Sequence, residues 1–351
     1  MLKVGIIGAG AIADCHLEAY IKNPYAQVVA IADINVERAK QKAEKYNVPM
    51  YCADYKEILE DKSIDAVSIV TPTFTHSNIA IEALKAGKQV LCEKPPAMNV
   101  SETEAMVNAA QETGNLLMFA FVLRFNQPTK LMKEQIDSGS MGEILHAEVV
   151  RLRRYQVVGG WFMDKAKSGG GPLIDSGIHQ IDEAMYLMGY PKVKQVVGFA
   201  TNTNNDLIGR IKGADGGAVW TSADTNFDNC TIESMASGYV TLDNGASLYV
   251  KVGYIAYAVS HGVSVELIGT NGGVKIENDQ ITMLSNMNDY MVETKPVIEN
   301  YINPYDGEVN HFVECCMNHT ACICEGWQAI ELMKIIEGIY QSAETGQVVS
   351  Y

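Results

Sequence analysis

The sequence lacks a hydrophobic run long enough to cross a lipid bilayer, and it is poor in cationic residues. Its longest apolar stretch, Leu116–Leu123, has about eight residues and ends at Arg124, whereas a membrane-spanning helix needs about 20. Only 27 Lys and Arg residues stand against 42 Asp and Glu residues, which gives a net charge of −15. The short apolar run argues against membrane insertion. The negative net charge repels polyanions, so we do not expect nucleic-acid binding either.

Cysteine is too sparse for a disulfide-bonded secreted scaffold. The eight cysteines are scattered except near the C-terminus, and reduced thiols are typical of intracellular proteins. Residues 1–13 contain one lysine and three glycines, which does not fit the uninterrupted apolar segment of a secretory signal. With 47% apolar and 20% charged residues, the composition is that of a globular protein. We therefore predict a cytoplasmic protein.

The length of 351 residues predicts two domains, because a single hydrophobic core stops growing below this size. Up to residue 122, short β-rich runs alternate with helical patterns, as in parallel βαβ units. Beyond it lie a Gly-rich segment, a helix over about Ile174–Met188 and alternating strands such as Ala246–Val252. We predict an α/β Rossmann domain with a doubly wound parallel sheet at 1–122, and an α+β domain with a mostly antiparallel sheet at 123–351.

One helix of the first domain, over about Glu102–Thr113, carries a recognisable start signal. Ser101 and Glu104 have the spacing of a capping box, in which side chains and backbone N–H groups satisfy each other. We therefore predict that Ser101 caps this helix.

A glycine-rich turn stands between the first predicted strand and the first predicted helix. Gly8 permits a tight turn, Gly10 lets the backbone approach a pyrophosphate, and Ala13 lets helix and strand pack closely. The helix that starts near Ala11 and Ile12 presents its positive N-terminal end to the phosphates. The pattern predicts dinucleotide binding; a glycine turn used only for packing is the alternative.

The identity of the dinucleotide depends on the end of the second predicted strand. Asp33 lies some 20 residues beyond the glycines, where a carboxylate accepts hydrogen bonds from the adenosine ribose and repels a 2′-phosphate. Asp33 therefore favours NAD as the cofactor. Arg38, one helical turn later, is a cation that leaves NADP possible.

Several motifs along the whole chain resemble those of the Gfo/Idh/MocA oxidoreductases, a family that includes inositol dehydrogenases and glucose-fructose oxidoreductase. The motifs are the glycine turn, Thr71–His76, Gly87–Pro95, Gly169–Asp182 and, more weakly, Gly139–Ile144 and Gly269–Gly272. The resemblance implies that the second domain is built on a large open sheet and that the chain forms a homodimer or homotetramer. It also implies no bound metal.

The Glu93-Lys94-Pro95 segment follows the fifth predicted strand. A doubly wound sheet binds its ligand beyond the carboxyl ends of its strands, so Lys94 is expected to reach the cleft. Its ammonium can stabilise negative charge on an oxygen that changes between hydroxyl and carbonyl. A surface lysine beside a loop proline is the alternative. The resemblance adds Glu93 and Lys94 to the predicted cofactor-binding residues and makes Lys94 both catalytic and substrate-binding.

Asp175 and His179 are spaced four residues apart in a predicted helix and should share one face. A histidine with a pKa near 6.5 can accept a proton near neutral pH, and a neighbouring carboxylate can orient it. The resemblance implies that both residues join Lys94 at the substrate carbon. The alternative is a helix-capping aspartate and a packed histidine. Asp182 is a secondary candidate that could be simply solvated.

Other candidates have weaker support. By resemblance, Thr71, Pro72 and His76 line the cofactor channel, although His76 could simply begin a helix. Because sugar sites combine hydrogen-bonding groups with an aromatic face, the substrate-binding candidates are Arg124, Asn126 and Trp161 and, less securely, Tyr155 and Tyr254.

The C-terminal cysteines form a local cluster with a histidine. Its members are Cys315, Cys316, His319, Cys322 and Cys324. Thiolates and an imidazole could bind zinc, but the short Cys322-x-Cys324 spacing and the family resemblance favour ordinary helix and loop residues. Oxidation-prone thiols are a further alternative.

Taken together, these residues predict an NAD(P)-dependent enzyme that transfers hydride between nicotinamide C4 and a secondary alcohol or ketone carbon of a sugar, cyclitol or related polyol. His179 would remove the hydroxyl proton, Asp175 would orient it and Lys94 would polarise the oxygen. Two alternatives stay open: an NAD-dependent glycoside-cleaving enzyme with transient sugar oxidation, and a noncatalytic ligand sensor.

Overall fold

The computed structural model describes residues 1–154, 159–207, 230–298 and 301–351. These residues form two compact units, Met1–Val122 with Ile302–Ile330 and Leu123–Tyr301 with Glu331–Tyr351. No helix in the described ranges combines the length and the apolar character that crossing a membrane requires.

The first unit contains a six-stranded parallel sheet in the order β3-β2-β1-β4-β5-β6. The strands are β1 Leu2–Ile7, β2 Ala26–Ala32, β3 Met50–Cys52, β4 Ala66–Ile69, β5 Gln89–Glu93 and β6 Leu117–Ala120. The strand order reverses between β1 and β4, which is the switch point at which doubly wound sheets bind ligands. The predicted Rossmann sheet is confirmed, with the three-residue β3 as an addition.

Seven helices belong wholly or partly to the first unit. They are α1 Ile12–Lys22, α2 Val36–Tyr46, α3 Lys56–Glu60, α4 His76–Lys85, α5 Val100–Thr113, α9 Pro304–Asn318 and the start of α10 Gly326–Thr345. Helix α9 packs on α1 through an ion pair between Lys22 and Asp306 at 2.9 Å and a hydrogen bond from Asn23 to Asn310 at 2.7 Å. Residues 302–330, which the sequence-based division placed in the second domain, therefore lie in the first unit.

Helix α5 begins two residues before the predicted start, and a different pair of residues caps it. Asn99 is the N-cap: its side-chain oxygen accepts the Glu102 N–H at 2.8 Å. The Glu102 carboxylate accepts hydrogen bonds from the Asn99 amide and the Met98 N–H. The predicted Ser101 cap is wrong because the N-cap is Asn99, two residues earlier, and Glu102 bonds back to the Asn99 side chain and the Met98 N–H.

The second unit is built on a nine-stranded sheet in the order β14-β13-β12-β11-β7-β10-β9-β8-β15. The strands are β7 Ile144–Leu152, β8 Val193–Thr201, β9 Met235–Leu242, β10 Ser247–Gly253, β11 Gly262–Gly269, β12 Gly273–Glu277, β13 Gln280–Met287, β14 Tyr290–Thr294 and β15 Val349–Ser350. Strands β7 and β10 run parallel, and the other described pairs are antiparallel. This confirms the predicted large, mostly antiparallel sheet.

One face of this sheet is covered by helices. Leu248, Val250 and Val252 of β10 are fully buried on that face, and the helix α8, Ile178–Leu187, packs against β7 and β11. The remaining helices are α6 Gln127–Asp137, α7 Lys165–Ser168 and the end of α10. The alternation predicted for β10 is confirmed, and it explains why this strand supports a helix on one side only.

Candidate active site

The glycine turn of the first unit lies at the carboxyl end of β1. Gly8 has a φ of 106°, and a Cβ atom built there would lie 2.5 Å from the Val70 carbonyl oxygen. Only glycine fits this position. A Cβ atom on Gly10 would meet nothing within 4 Å, so the backbone at Gly10 faces open space. The turn therefore leaves room above the start of α1, as a bound pyrophosphate requires.

Asp33 follows β2 directly, and its buried carboxylate holds the glycine turn. It accepts the Ala9 N–H at 2.7 Å and the Asn35 N–H at 2.8 Å. The Arg38 guanidinium adds two hydrogen bonds, of 3.1 and 2.7 Å, one to each carboxylate oxygen. A carboxylate offers about four lone-pair positions, so all of them are used. Arg38, whose side chain is half exposed, must release Asp33 before two ribose hydroxyls can bind it.

Glu93 ends β5 and links Lys94 to a buried polar chain. One carboxylate oxygen accepts the Lys94 N–H at 3.0 Å, and the other lies 3.0 Å from His16 Nε2. The His16 ring continues to the Ser68 hydroxyl at 3.4 Å, which also lies 3.0 Å from the Tyr20 hydroxyl. The chain fixes the backbone at Lys94, whose side chain is partly exposed. Sequence reasoning missed His16, because nothing local indicates that an α1 residue meets β5.

Thr71, Pro72 and His76 lie between β4 and α4. His76 is the first residue of α4 and is 1% exposed. Its ring nitrogens lie 2.9 Å from the Pro95 carbonyl oxygen and 2.8 Å from that of Thr71. Burial lowers the pKa of His76, although both carbonyl contacts act in the opposite direction. His76 therefore ties the Thr71–Pro72 loop to the segment after Lys94, and both of its nitrogens face protein atoms.

In the second unit, the segment that carries Asp175 begins with a tight backbone approach. A Cβ atom on Gly171 would lie 2.5 Å from the Glu233 carbonyl oxygen. The buried Glu233 carboxylate accepts the N–H groups of Gly171 at 2.8 Å and Leu173 at 3.0 Å, and also the Tyr340 hydroxyl at 2.9 Å. Burial raises the pKa of Glu233, whereas these hydrogen bonds lower it. Glu233 thus anchors the start of the segment.

The segment itself is not the regular helix that the sequence predicts. Residues Leu173–Gly177 form a π-helical turn, and α8 continues from Ile178. A π-turn frequently marks a functional site, because it changes the direction of side chains within a helix. A side chain at Gly177 would come within 2.9 Å of Val252, so this turn also lies close to β10.

Asp175 and His179 stand out within this segment by their exposure. Every other residue from 171 to 185 is buried, whereas these two side chains are partly exposed. The Asp175 carboxylate accepts a short hydrogen bond from the Tyr254 hydroxyl. Burial, and next the Asp175 charge, raise the pKa of Tyr254 well above its ordinary value, so Tyr254 remains a hydrogen-bond donor.

Two arginines of β7 and the following residues lie near this group. Burial and the Arg153 charge lower the pKa of Arg151, whereas Tyr254 and Asp175 raise it. Arg151 donates to the Gln180 side chain at 3.2 Å. The Nε atoms of Arg151 and Arg153 are buried and have no hydrogen-bond partner among the described residues. These two arginines were not among the predicted site residues, because no motif surrounds them.

Arg124 and Asp182 belong to the interior of the second unit. Arg124 is fully buried and binds both carboxylate oxygens of Asp182, with the Tyr190 hydroxyl joining them. Asp182, considered simply solvated as one possibility, is 1% exposed. The burial of Arg124 does not fit the predicted substrate contact: its guanidinium supports α8 from within.

The other substrate candidates differ in accessibility. Asn126 is 3% exposed and donates to Asp279 at 2.9 Å. Trp161 is partly exposed and stacks on Phe162, with ring centres 3.9 Å apart. Phe162 packs against a buried cluster that includes Tyr254. Tyr155 falls outside the described residues.

The residues of the first unit fit a dinucleotide. Gly10 opens onto space that a Cβ atom would fill, Ala11 leaves the start of α1 without a side-chain cap, and Asp33 follows β2. An uncapped helix start attracts phosphate through its N–H groups and its dipole.

Comparison with known proteins agrees with this assignment. Residues 2–121 match an oxidoreductase family described as having an NAD-binding Rossmann fold, and residues 133–351 match the C-terminal alpha/beta domain of the same family. A D-glucoside 3-dehydrogenase of Escherichia coli (strain K12) is 30% identical over 98% of this chain and 96% of its own length. A scyllo-inositol 2-dehydrogenase (NAD(+)) of Bacillus subtilis (strain 168) is 28% identical over 90% of this chain and 86% of its own.

The fold is also similar to that of solved structures. An aldose-aldose oxidoreductase from Caulobacter crescentus, crystallised with glycerol, aligns with a TM-score of 0.82 at 22% identity. The alignment covers 100% of this chain and 99% of that one. At this level of identity the match establishes the architecture of both units.

Proposed function

The chain belongs to the Gfo/Idh/MocA family of NAD-binding oxidoreductases, and we propose that it oxidises a ring hydroxyl of a sugar, glycoside or cyclitol. Two related proteins act on a glucoside and on an inositol, which supports a polyhydroxylated ring as the substrate class. Trp161, which is partly exposed, offers an aromatic face to such a ring.

In this proposal, Lys94, Asp175 and His179 act on one secondary alcohol group. Gly8, Gly10 and Asp33 would hold NAD, whose nicotinamide C4 would supply the acceptor for the hydride on the alcohol carbon. His179 accepts the hydroxyl proton, and Asp175, held by Tyr254, orients the imidazole. Lys94 donates a hydrogen bond to the same oxygen and stabilises the negative charge that develops as the carbonyl forms. In the reverse direction His179 returns the proton to the ketone oxygen.

The observation that carries the proposal is the partial exposure of Asp175 and His179 in an otherwise buried segment. A carboxylate and an imidazole that remain accessible among buried neighbours are able to contact a ligand. Asp33, Gly8 and Gly10 provide the matching cofactor site in the first unit, with His76 as a positioning residue for Thr71 and Pro72.

The first experiment is a panel of glycosides, aldoses, cyclitols and polyols, each incubated with NAD or NADP while the reduced nicotinamide is monitored. With an active substrate, Lys94→Met and His179→Ala should each lower kcat by about 10²- to 10⁴-fold, as removal of a positioned acid or base does. The exposed residues Lys85 and His261 give matched controls, Lys85→Met and His261→Ala, which should retain full turnover.

Losses below tenfold in both site variants, with unchanged affinity for NAD, would contradict the assignment. Glycoside cleavage without accumulation of NADH would instead identify the alternative in which the sugar is oxidised only transiently.

We also propose that the protein is a cytoplasmic homodimer or homotetramer. Its eight cysteines are all free thiols, as suits a reducing compartment. The face of the second sheet opposite α8 exposes apolar side chains that include Val197, Phe199 and Tyr239, which favours a partner there. Light scattering should give a dimer or tetramer, and the double variant Phe199→Glu/Tyr239→Glu should give a monomer. A monomeric wild-type protein would contradict the proposal.

A further inference from the structure

Three side chains with soft ligand atoms converge at the C-terminal end of α9. His311 and Cys315 lie one helical turn apart on α9, and Cys322 belongs to the segment between α9 and α10. Cys315 Sγ lies 3.4 Å from His311 Nε2. The two sulfur atoms and the imidazole nitrogen all lie within 4.8 Å of one another. A compact group of this composition is typical of a metal site.

The chain reverses direction in a way that brings Cys322 to this position. His319 ends α9 in a left-handed conformation with a φ of 53°, and its N–H bonds to the Cys315 carbonyl oxygen. The following segment then returns along α9, so that the Ile323 N–H reaches His311 Nε2 at 3.0 Å. The cap at His319 therefore sets the placement of the third ligand, without Cys316 or Cys324 joining the cluster.

The hydrogen bonds around the cluster present its atoms as electron-pair donors. The Ile323 N–H points at His311 Nε2, which identifies this nitrogen as the unprotonated one. The Thr320 hydroxyl donates to Cys315 Sγ at 3.6 Å, and the Cys324 N–H donates to Cys322 Sγ at 3.4 Å. These hydroxyl and N–H groups are outer hydrogen-bond partners of the kind that orient metal ligands. On binding, the ion would replace the Ile323 N–H at the nitrogen.

The spacing matches tetrahedral zinc. With Zn–S bonds of about 2.3 Å and Zn–N bonds of about 2.0 Å, a sulfur and a nitrogen ligand lie roughly 3.5 Å apart, close to the observed 3.4 Å. We propose that His311, Cys315 and Cys322 bind one zinc ion. Because His311 and Cys322 are partly exposed while Cys315 is buried, the ion has access from solvent, and water completes the coordination. At this site the proposal departs from the expectation of no metal.

The site would tie the connection between α9 and α10 to α9 itself. Two thiols lose their protons when the ion binds, and the folded chain gains stability because the unfolded chain does not hold the three ligands together. This role is independent of the proposed dehydrogenase activity, so the experiment needs no substrate.

The test uses the full-length chain, reduced and freed of metal with a chelator, and titrated with Zn²⁺ against a chromophoric competitor. We expect one zinc per chain and a higher Tm in its presence. Loss of an outer partner of a metal site already costs 10- to 100-fold in affinity, so Cys322→Ser and His311→Ala should each weaken binding by about 100-fold or more. The matched control is Cys316→Ser, which removes the cysteine next to Cys315 and should retain wild-type affinity.

Alkylation provides a second measurement that does not depend on the variants folding. Zinc should protect Cys315 and Cys322 of the wild-type chain from iodoacetamide and leave the labelling of Cys316 unchanged. Co²⁺ in the same site should give a thiolate charge-transfer band that Cys322→Ser weakens. The proposal is overturned if the reduced wild-type chain binds no stoichiometric zinc, even if it forms a Cys315–Cys322 disulfide on oxidation. Equal affinity in the wild type and both ligand variants would also overturn it.

Discussion

Asp33 has its hydrogen-bonding capacity filled before any ligand arrives, and this bears on cofactor choice. Arg38 takes two of its four acceptor positions, and backbone N–H groups take the other two. In the proposed cofactor site, binding of the NAD ribose requires Arg38 to move, whereas a 2′-phosphate would meet both the Arg38 cation and the Asp33 anion. We propose that the Asp33 carboxylate gives the site a preference for NAD.

Asp33→Ala should remove this preference. Hydrogen bonds to a charged group contribute about 1.5–3 kcal/mol, so kcat/KM with NAD should fall by about tenfold or more, with a smaller change for NADP. The measurement is steady-state kinetics with both cofactors, with Asp54→Ala, in an exposed turn, as the control. An unchanged ratio of the two kcat/KM values would show that Asp33 does not contact the ribose.

Tyr254 illustrates a residue that acts through another. Its hydroxyl donates to Asp175 and holds the carboxylate in place. Tyr254→Phe removes this hydrogen bond to a charged group, which contributes about 1.5–3 kcal/mol, so kcat should fall by about tenfold or more while the affinity for NAD stays unchanged. Tyr249→Phe, on the opposite face of the sheet, is the control. Equal losses of kcat and of affinity for NAD would indicate a purely structural role.

The buried residue Glu183 makes the stability of the fold depend on pH. Burial first, and then Asp182 and Asp279, raise the pKa of this fully packed carboxyl from 4.5 to about 7, although the Thr129 hydroxyl bond at 2.5 Å lowers it. Between these pH values the folded chain holds a proton that the unfolded chain releases. The free energy of unfolding therefore falls as the pH rises through this window, and the loss is complete above about pH 7.

Glu183→Gln should remove this pH dependence, because the amide is neutral throughout. One pKa unit corresponds to about 1.4 kcal/mol. In urea titrations, the free energy of unfolding of the variant, compared with that of the wild type, should therefore be higher at pH 8 than at pH 5 by roughly 3 kcal/mol. Glu134→Gln, on the exposed side of α6, should show no such change. Parallel pH curves for wild type and Glu183→Gln would contradict the raised pKa.

At the scale of elements, the glycine-rich segment and the π-turn depend on Glu233. Its two oxygens accept two backbone N–H groups, and Glu233→Gln would place an NH₂ group against one of them. An unsatisfied buried donor costs about 1–3 kcal/mol, so the free energy of unfolding should fall by that amount in urea titrations. Glu266→Gln, on the open face of β11, is the control. A variant as stable as the wild type would show that the turn holds without this cap.

Local sequence patterns predicted most helices and strands. They failed where contacts with residues distant in sequence determine the local backbone conformation. The strands of the first sheet and the hairpin before β10 follow from apolar runs and turn residues. The start of α5 was misplaced because Asn99 and Ser101 both offer capping oxygens, and only the structure selects Asn99. The π-turn before α8 could not be predicted, because it depends on Glu233 and Val252, which are distant in sequence.

At the scale of the whole molecule, the sequence identifies the motif residues of the candidate site but not the residues that support them. The motif residues Gly8, Asp33, Lys94, Asp175 and His179 carry their own signals in spacing and position. Their supporting residues do not: His16, Tyr254 and Glu233 are ordinary side chains until folding brings them to Glu93, Asp175 and Gly171. His311 was overlooked for the same reason, although its spacing of four residues from Cys315 on a helix was a readable signal.

The central claim is that this chain moves a hydride from a ring carbon to NAD, and isotope transfer tests it most directly. An active sugar or cyclitol, deuterated at the carbon that bears the reacting hydroxyl, would be incubated with the wild-type protein and NAD, and the reduced cofactor would be analysed by mass spectrometry and NMR. The account predicts that the deuterium appears at C4 of the nicotinamide, one per turnover, and that Lys94→Met and His179→Ala slow this transfer together. Deuterium released to water, with none in the cofactor, would contradict it.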